Sequence, residues 1–139
     1  MKIRIVLALA IVTSSMVRAE ERVCAVHIES PNYPDVARQA QIEGVVRVKL
    51  SVDESGVGRS ATAEGPVLLS EEAKRNALTW TFARGSAREI EIVYYFRLAK
   101  PKLAYRPVPD IRFDLPGRVT ITSHAPLPIR DDEMIKPNK

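Results

Sequence analysis

Residues 46–56 read VRVKLSVDESG, a stretch in which apolar and polar side chains alternate up to Val52 and turn-forming residues follow. An alternation with period two predicts a β-strand that buries one face and exposes the other. The run Asp53–Gly56 has the composition of a turn, and residues 57–64 can return as an antiparallel partner with weaker alternation. The stretch therefore predicts a β-hairpin around which the rest of the domain is organised.

A short helix is predicted before the hairpin and a longer one after it. Pro34 suits the first turn of a helix, where its missing N–H is not needed, so the first helix is expected from Pro34 to about Gln41, with Gly44 as its stop. The second helix is expected to begin at Ser70 as its N-cap. Its apolar residues recur at helical spacing and predict a narrow stripe packed on the hairpin: Leu69, Ala73, Ala77 and Trp80.

A third strand and an extended tail are predicted after the second helix. The apolar residues of the segment 90–98 alternate without a break, which indicates a strand with one buried face. The segment 99–139 contains 7 of the 10 prolines of the chain, and this composition argues against a second packed core. Within it, residues 111–115 and 119–121 are strand-like and flank Pro116-Gly117, so one or two extended segments are expected to lie along the domain.

The first 19 residues have the order of a cleavable secretory signal. A positive start at Lys2 and Arg4 precedes the apolar run Ile5–Val12 and a stretch with small residues, which predicts cleavage after Ala19. The apolar run is about half of the roughly 20 residues that a membrane-spanning helix needs, so export is favoured over a retained anchor. Removing this segment lowers Lys plus Arg from 21 to 18 against 17 acidic residues, so the mature chain has a net charge of +1. That small charge, without a dense basic run, argues against nucleic-acid binding.

No group of residues in the sequence forms a catalytic motif or a complete metal site. Cys24-x-x-His27 offers two ligands, whereas zinc takes three or four from the protein. Ser123 and His124 are neighbours in a proline-rich segment, without a motif that would make the serine a nucleophile. With one cysteine in the chain, an internal disulfide is excluded. The sequence therefore predicts a binding protein without cofactor or metal, and not an enzyme.

Four groups of residues together carry a family resemblance: Tyr33-Pro34-x-x-Ala37-Arg38, Glu43-Gly44, Val46-x-Val48-x-Leu50-x-Val52-Asp53-x-x-Gly56 and Ala73-x-x-x-Ala77-Leu78-x-Trp80-x-Phe82. In this order and spacing they resemble the C-terminal domain of TonB, the energy transducer of Gram-negative bacteria. The resemblance covers residues 33–98 and implies an α+β fold, a three-stranded antiparallel sheet with two helices on one face. The expected organisation is a signal peptide (1–19), a leader (20–32), the TonB-like domain (33–98) and a proline-rich C-terminal tail (99–139).

The resemblance also implies how the domain binds. TonB domains capture the TonB box of outer-membrane transporters as a strand beside the last strand of the sheet, which takes affinity from main-chain hydrogen bonds and selectivity from alternate side chains. On this chain that edge is Glu89–Leu98, and Asn32-Tyr33-Pro34 matches the family's Tyr-Pro segment, which also lies near the transporter. The implied peptide-binding residues are Asn32, Tyr33, Pro34, Ile90, Val93, Tyr95 and Arg97. The alternative is that the proline-rich tail covers this edge.

Three interpretations of function follow. The first is a stand-alone periplasmic domain that binds an extended segment of an envelope protein, such as a TonB-dependent outer-membrane transporter. The second is energy transduction with the N-terminal segment retained as an inner-membrane anchor; only residues 20–32 would then precede the domain, and 13 extended residues span at most about 45 Å. The third is a structural homodimer in which the edge strand pairs with another copy and Cys24 links the two chains.

Overall fold

The computed structural model describes residues 23–101, 108–115 and 117–128. Two helices, α1 (Asp35–Gln39) and α2 (Val67–Thr79), pack with β-strands and confirm the α+β prediction. The strands are β1 (Ala25–His27), β2 (Gly44–Val52), β3 (Gly58–Glu64), β4 (Thr81–Phe82), β5 (Arg88–Ala99), β6 (Asp110–Asp114) and β7 (Arg118–His124). The predicted signal peptide and the end of the tail lie outside the described residues.

The predicted hairpin is present as β2 and β3, which pair antiparallel. The Asp53 carboxylate holds the turn by accepting hydrogen bonds from the N–H groups of Ser55 (3.0 Å) and Val57 (3.1 Å) and from the Ser55 hydroxyl (2.6 Å). These donors, the Ser55 hydroxyl foremost, hold the pKa of Asp53 well below its usual value. Gly56 has a φ of +89°, and a β-carbon there would lie 1.9 Å from the Phe82 carbonyl oxygen, so the turn requires glycine.

The main sheet has five strands, and the predicted three-stranded sheet is only part of it. Its order is β3-β2-β5-β7-β6, and all neighbours are antiparallel except β5 and β7, which run parallel. The three predicted strands are β2, β3 and β5, and the tail adds β6 and β7. Val119 and Ile121 of β7 are fully buried, so the tail joins the sheet because it extends the core.

Helix α2 covers the core side of the sheet. The residues of the predicted stripe are all fully buried: Leu69, Ala73, Ala77 and Trp80. The helix begins at Val67, earlier than the predicted N-cap Ser70, because Pro66 precedes it with a φ of −56° that its ring imposes. The Ser70 hydroxyl instead donates to the Pro66 carbonyl oxygen at 2.9 Å.

Helix α1 is shorter than predicted and ends without the help of Gly44. Gln41 adopts the left-handed conformation (φ +54°), and the Ile42 N–H donates to the Ala37 carbonyl oxygen at 2.8 Å. Gly44 instead opens β2, where a β-carbon would lie 2.8 Å from the Pro66 ring. The absence of a side chain at Gly44 therefore allows β2 to pack closely against Pro66 at the start of α2.

The predicted leader takes part in the fold. Its strand β1 pairs antiparallel with β4, the short strand that follows α2. The Ala83 N–H also donates to the Cys24 carbonyl oxygen at 2.9 Å. The chain before α1 is thus attached to the segment that follows α2, and two side chains of α2 itself, Glu72 and Asn76, bind its later residues.

Candidate peptide-binding site

The edge that the resemblance assigns to a partner is occupied by the tail of the chain itself. Residues 93–99 of β5 pair parallel with residues 118–124 of β7. At one end the Val93 N–H donates to the Gly117 carbonyl oxygen at 2.7 Å, and at the other the Ala125 N–H donates to the Ala99 carbonyl oxygen at 3.0 Å. The tail lies where a partner strand was expected, which is the alternative that the sequence left open.

The predicted residues of β5 divide between the two faces of the sheet. Ile90 is 6% exposed and packs in the core with the other even-numbered residues of β5, so its side chain is not open to a partner. Val93, Tyr95 and Arg97 lie on the opposite face, where Val93 and Tyr95 are half-buried and Arg97 is exposed. These three side chains remain accessible although the main chain beside them is paired.

A groove of about 810 Å³ lies between α1 with the segment before it, helix α2 and the tail. Asn32, Tyr33 and Pro34, the residues predicted from the Tyr-Pro segment, all line it. The walls carry three carboxylates and two guanidinium groups, so the groove is polar with both signs of charge. The other lining residues are Asp35, Arg38, Leu68, Glu71, Glu72, Arg75, Pro109 and Ser123.

Tyr33 anchors the Tyr-Pro segment in the core. Its hydroxyl donates to the Ile42 carbonyl oxygen at 2.7 Å, and its ring meets the Phe96 ring edge-on with the centroids 5.5 Å apart. Burial, with a smaller effect of the Glu43 carboxylate, raises the pKa of Tyr33 to about 12. That carboxylate accepts a hydrogen bond from the Leu98 N–H at 2.5 Å and so extends the pairing of β2 with β5. Tyr33 therefore stays neutral and positions its neighbours.

Glu72 of α2 fixes the main chain at the groove. Its side chain is 7% exposed, and its carboxylate accepts a hydrogen bond from the Asn32 N–H at 2.9 Å. The same carboxylate forms an ion pair with Arg75, one turn along the helix. The Asn32 backbone is therefore held while the residue as a whole stays exposed.

Asn76, one turn after Glu72, joins the leader to the core. Its amide group donates to the Glu29 carbonyl oxygen at 2.9 Å, and its oxygen accepts from the Trp80 indole N–H (3.1 Å) and the Tyr94 hydroxyl (2.9 Å). Burial, with a smaller effect of the Glu72 charge, raises the pKa of Tyr94, which keeps its hydroxyl a donor. Sequence reasoning missed this network; the polar pair at positions 72 and 76, at helical spacing beside the apolar stripe, was the signal that could have identified it.

Within the described ranges, neither helix is long and apolar enough to cross a membrane. In the same part of the chain, no three His, Cys, Asp or Glu side chains come together as metal ligands. The candidate site thus consists of a paired strand edge, a polar groove and an accessible sheet face.

Comparison with known proteins places this architecture in a family. A search of curated proteins found no match. The family described as the Gram-negative bacterial TonB protein C-terminal matches residues 29–98, half of the chain. The matched segment begins at the leader residue held by Asn76 and contains α1, the hairpin, α2 and nearly all of β5. The chain therefore belongs to the TonB C-terminal domain family.

Proposed function

We propose that this chain is an exported, stand-alone TonB C-terminal domain that binds an extended segment of an envelope protein by strand addition. Family membership supports the coarser part of the proposal, because TonB-type domains act in protein interactions of the cell envelope. The outer edge of β6, which pairs with no other strand among the described residues and lies next to the groove, supports the finer part. The partner class that the family implies is an outer-membrane transporter with a TonB box.

Strand addition directly at β5 would require the partner to displace β7. Val119 and Ile121 are fully buried, and burying one such side chain contributes roughly 1.5–3 kcal/mol. Phe113 of β6 adds to this, because its ring centroid lies 6.2 Å from that of Trp80. Losing β6 and β7 would cost a large part of the roughly 5–15 kcal/mol by which a small domain is stable. We therefore place the added strand at another edge.

The outer edge of β6 offers main-chain groups to a partner. The Val93 N–H donates to the Gly117 carbonyl oxygen, and main-chain groups along a strand point to its two neighbours in alternation. The N–H and C=O groups of residues 119 and 121 therefore point toward β5, and those of residues 118, 120 and 122 point toward β6. The antiparallel pairing of β6 then uses the main-chain groups of its residues 110, 112 and 114. The N–H and C=O groups of Ile111 and Phe113 are left pointing away from the sheet.

The groove continues this edge. Pro109 lines the groove and immediately precedes β6, and Asn32 and Pro34 line the same groove. A segment that pairs with β6 and extends past Asp110 therefore reaches the Tyr-Pro segment without a change of fold. No residue of β3, the other outer strand, lines the groove. The junction of the groove with a strand edge that no described strand covers is the observation that carries the proposal.

Amide exchange resolved by residue with NMR tests this placement. The mature chain is mixed with a synthetic peptide that contains the TonB box of a transporter from the same host. We expect exchange of the Ile111 and Phe113 amides to slow by about tenfold or more, while Val119 and Ile121 stay protected. Faster exchange at Val119 and Ile121 would show that β7 leaves and would refute the β6 placement. Unchanged exchange at all four residues would refute strand addition.

Two variants of Ile111 separate the main-chain contribution from the side-chain contribution. Ile111→Pro removes the outward N–H together with the side chain, whereas Ile111→Ala shortens the side chain and keeps the N–H. We expect peptide binding to weaken about tenfold in Ile111→Pro and less than about threefold in Ile111→Ala. Equal losses in two variants that both retain the native NMR spectrum would contradict a main-chain role for β6.

A further inference from the structure

The face of the main sheet opposite the helices carries a cluster of aromatic and basic side chains. Along each strand, the residues of this face alternate with residues buried under the helices. Tyr95 lies at its centre, opposite Val45 on β2 and Thr120 on β7. Val93 and Arg97 flank Tyr95 on its own strand. The cluster therefore spans the boundary between β5 and the tail.

Two guanidinium groups lie over the Tyr95 ring. The Cζ atom of Arg118 is 5.4 Å from the ring centroid, and that of Arg97 is 6.0 Å away. The arginines of this face on β2 and β6 are each paired with a carboxylate, at 3.4 Å and 3.2 Å, whereas no carboxylate of the described chain pairs with Arg97 or Arg118. Stacking uses the flat face of a guanidinium group and leaves its N–H donors at the rim. The Tyr95 ring thus attracts two guanidinium groups within cation–π range and leaves their N–H donors available.

The charges of the whole face determine which partner it suits. Apart from Arg59 at the bulge of β3, which is paired with Asp53, the strands of this face expose five basic and five acidic side chains: Arg47, Lys49, Arg97, Arg112 and Arg118, and Glu64, Glu89, Glu91, Asp110 and Asp114. An extended anionic surface such as a membrane meets attraction and repulsion together on a balanced face. A localised acidic group gains attraction at Arg97 and Arg118 together, and screening over about 8–10 Å weakens the repulsion from acids beyond that range. Asp114, the cross-strand partner of Arg118, is the nearest acid and opposes part of this attraction.

Apolar contact is available beside the two arginines. Val45 is 42% exposed, and Val93 is half-buried next to Tyr95. An extended protein segment can contact both the arginines and these valines, because successive side chains of a strand point in opposite directions and can be acidic and apolar in turn. A free phosphate or a lipid headgroup would use the arginines alone.

We propose that Tyr95, Arg97 and Arg118 form a docking site for an acidic segment of a partner protein. Carboxylates of that segment accept hydrogen bonds from the two guanidinium groups, and an apolar side chain between them contacts Val45 and Val93. The inference rests on the proposed function only in taking the partner to be a protein. Its site is the open face of the sheet and requires no added strand.

Binding of a short acidic peptide to the mature chain tests the proposal. The probe is a soluble peptide in which glutamates alternate with valines, and the matched control peptide has glutamine in place of each glutamate. We expect the acidic peptide to bind, to shift the ring resonances of Tyr95, and to bind more weakly as NaCl rises from about 50 mM to about 500 mM. Equal binding of both peptides, or of neither, would overturn the proposal.

Substitutions locate the binding. The double variant Arg97→Gln/Arg118→Gln should weaken binding of the acidic peptide about tenfold, the combined effect expected of two exposed charge pairs. Tyr95→Leu removes the stacking platform and should weaken binding about threefold. Arg84→Gln, at an exposed arginine outside the strands, is the control and should bind like the natural chain. An equal loss in Arg84→Gln would indicate unspecific attraction and overturn the site.

Two further measurements test other occupants of the face. Binding to phosphatidylglycerol vesicles that is lost in the double variant, without a response to the acidic peptide, would assign the cluster to lipid and overturn the proposal. Self-association that disappears in the double variant would assign it to a second copy, with the same consequence. Ile111→Pro should leave binding of the acidic peptide unchanged, so failure of this site is distinguishable from failure of strand addition.

Discussion

Ile121→Ala should lower the free energy of unfolding by about 3 kcal/mol, because the tail is part of the core and not a loose cover on β5. Ile121 is fully buried and belongs to one core cluster with Val119 and the residues of the first three predicted strands. Truncating a buried isoleucine to alanine costs about 2–5 kcal/mol, depending on how far the surroundings collapse. Strand β7 has a neighbour on each side, which limits collapse and supports a value in the middle of that range.

Urea unfolding followed by tryptophan fluorescence measures this cost. Trp80 is the single tryptophan of the chain, and its ring contacts Phe113 of the tail, so its signal reports on the tail and the core together. Ile111→Ala, on the outer strand β6 where the side chain is only partly buried, is the comparison and should cost about 1 kcal/mol. A cost below about 1 kcal/mol at Ile121, or equal costs at both positions, would refute the reasoning. Strand β7 could then be displaced, and β5 would again be the edge available to a partner.

Three further predictions concern the α2 network, the Tyr33 hydroxyl and export. Asn76→Ala leaves the Trp80 N–H and the Tyr94 hydroxyl without an acceptor and should lower the free energy of unfolding by about 3 kcal/mol in urea titrations; a loss below about 1 kcal/mol would contradict the network. The folded-state pKa of Tyr33 is raised from 10.0 to about 12, so its contribution to stability is complete below pH 10 and is lost as the pH rises toward 12. Tyr33→Phe should therefore reduce the fall in stability between these pH values, and an unchanged fall would argue against a buried, neutral Tyr33. The intact mass of the protein from its host should correspond to a chain that starts at Glu20, whereas a species that keeps residues 1–19 would support the anchored alternative.

Local patterns were sufficient for the two helices and for β2, β3 and β5 of the family segment, whereas the two-residue strand β4 was not predicted. The alternation in residues 46–52 and 90–98 is a property of each strand alone, so it predicted β2 and β5 without knowledge of their neighbours. The helix ends were less accurate, because Pro66 and Gln41 took the roles assigned to Ser70 and Gly44. Such exchanges between residues three or four positions apart change an element's boundary and leave its packing face unaltered.

The position of the tail could not be predicted from local pattern. Val119 and Ile121 alternate with threonines, which indicates a strand with one buried face but does not identify the strand beside it. Pairing with β5 connects residues far apart in the chain, and it depends on the apolar area that the three-stranded sheet leaves open. The prediction of the site residues was limited in the same way. Asn32 and Pro34 line the groove, whereas the Ile90 side chain is buried in the core because it lies on the inner face of β5.

The tail moves the free edge of this family fold outward by two strands. In residues 33–98 alone, β5 would end the sheet and its main chain would be open to a partner; in the whole chain, β7 and β6 follow it. The groove gains Pro109 and Ser123 from the tail, so it joins the Tyr-Pro segment to the new edge. The open face gains Arg118, which joins Arg97 over the Tyr95 ring. A fragment limited to residues 33–98 would therefore expose an edge that the protein covers and lack half of the arginine pair, so binding must be measured on the full mature chain.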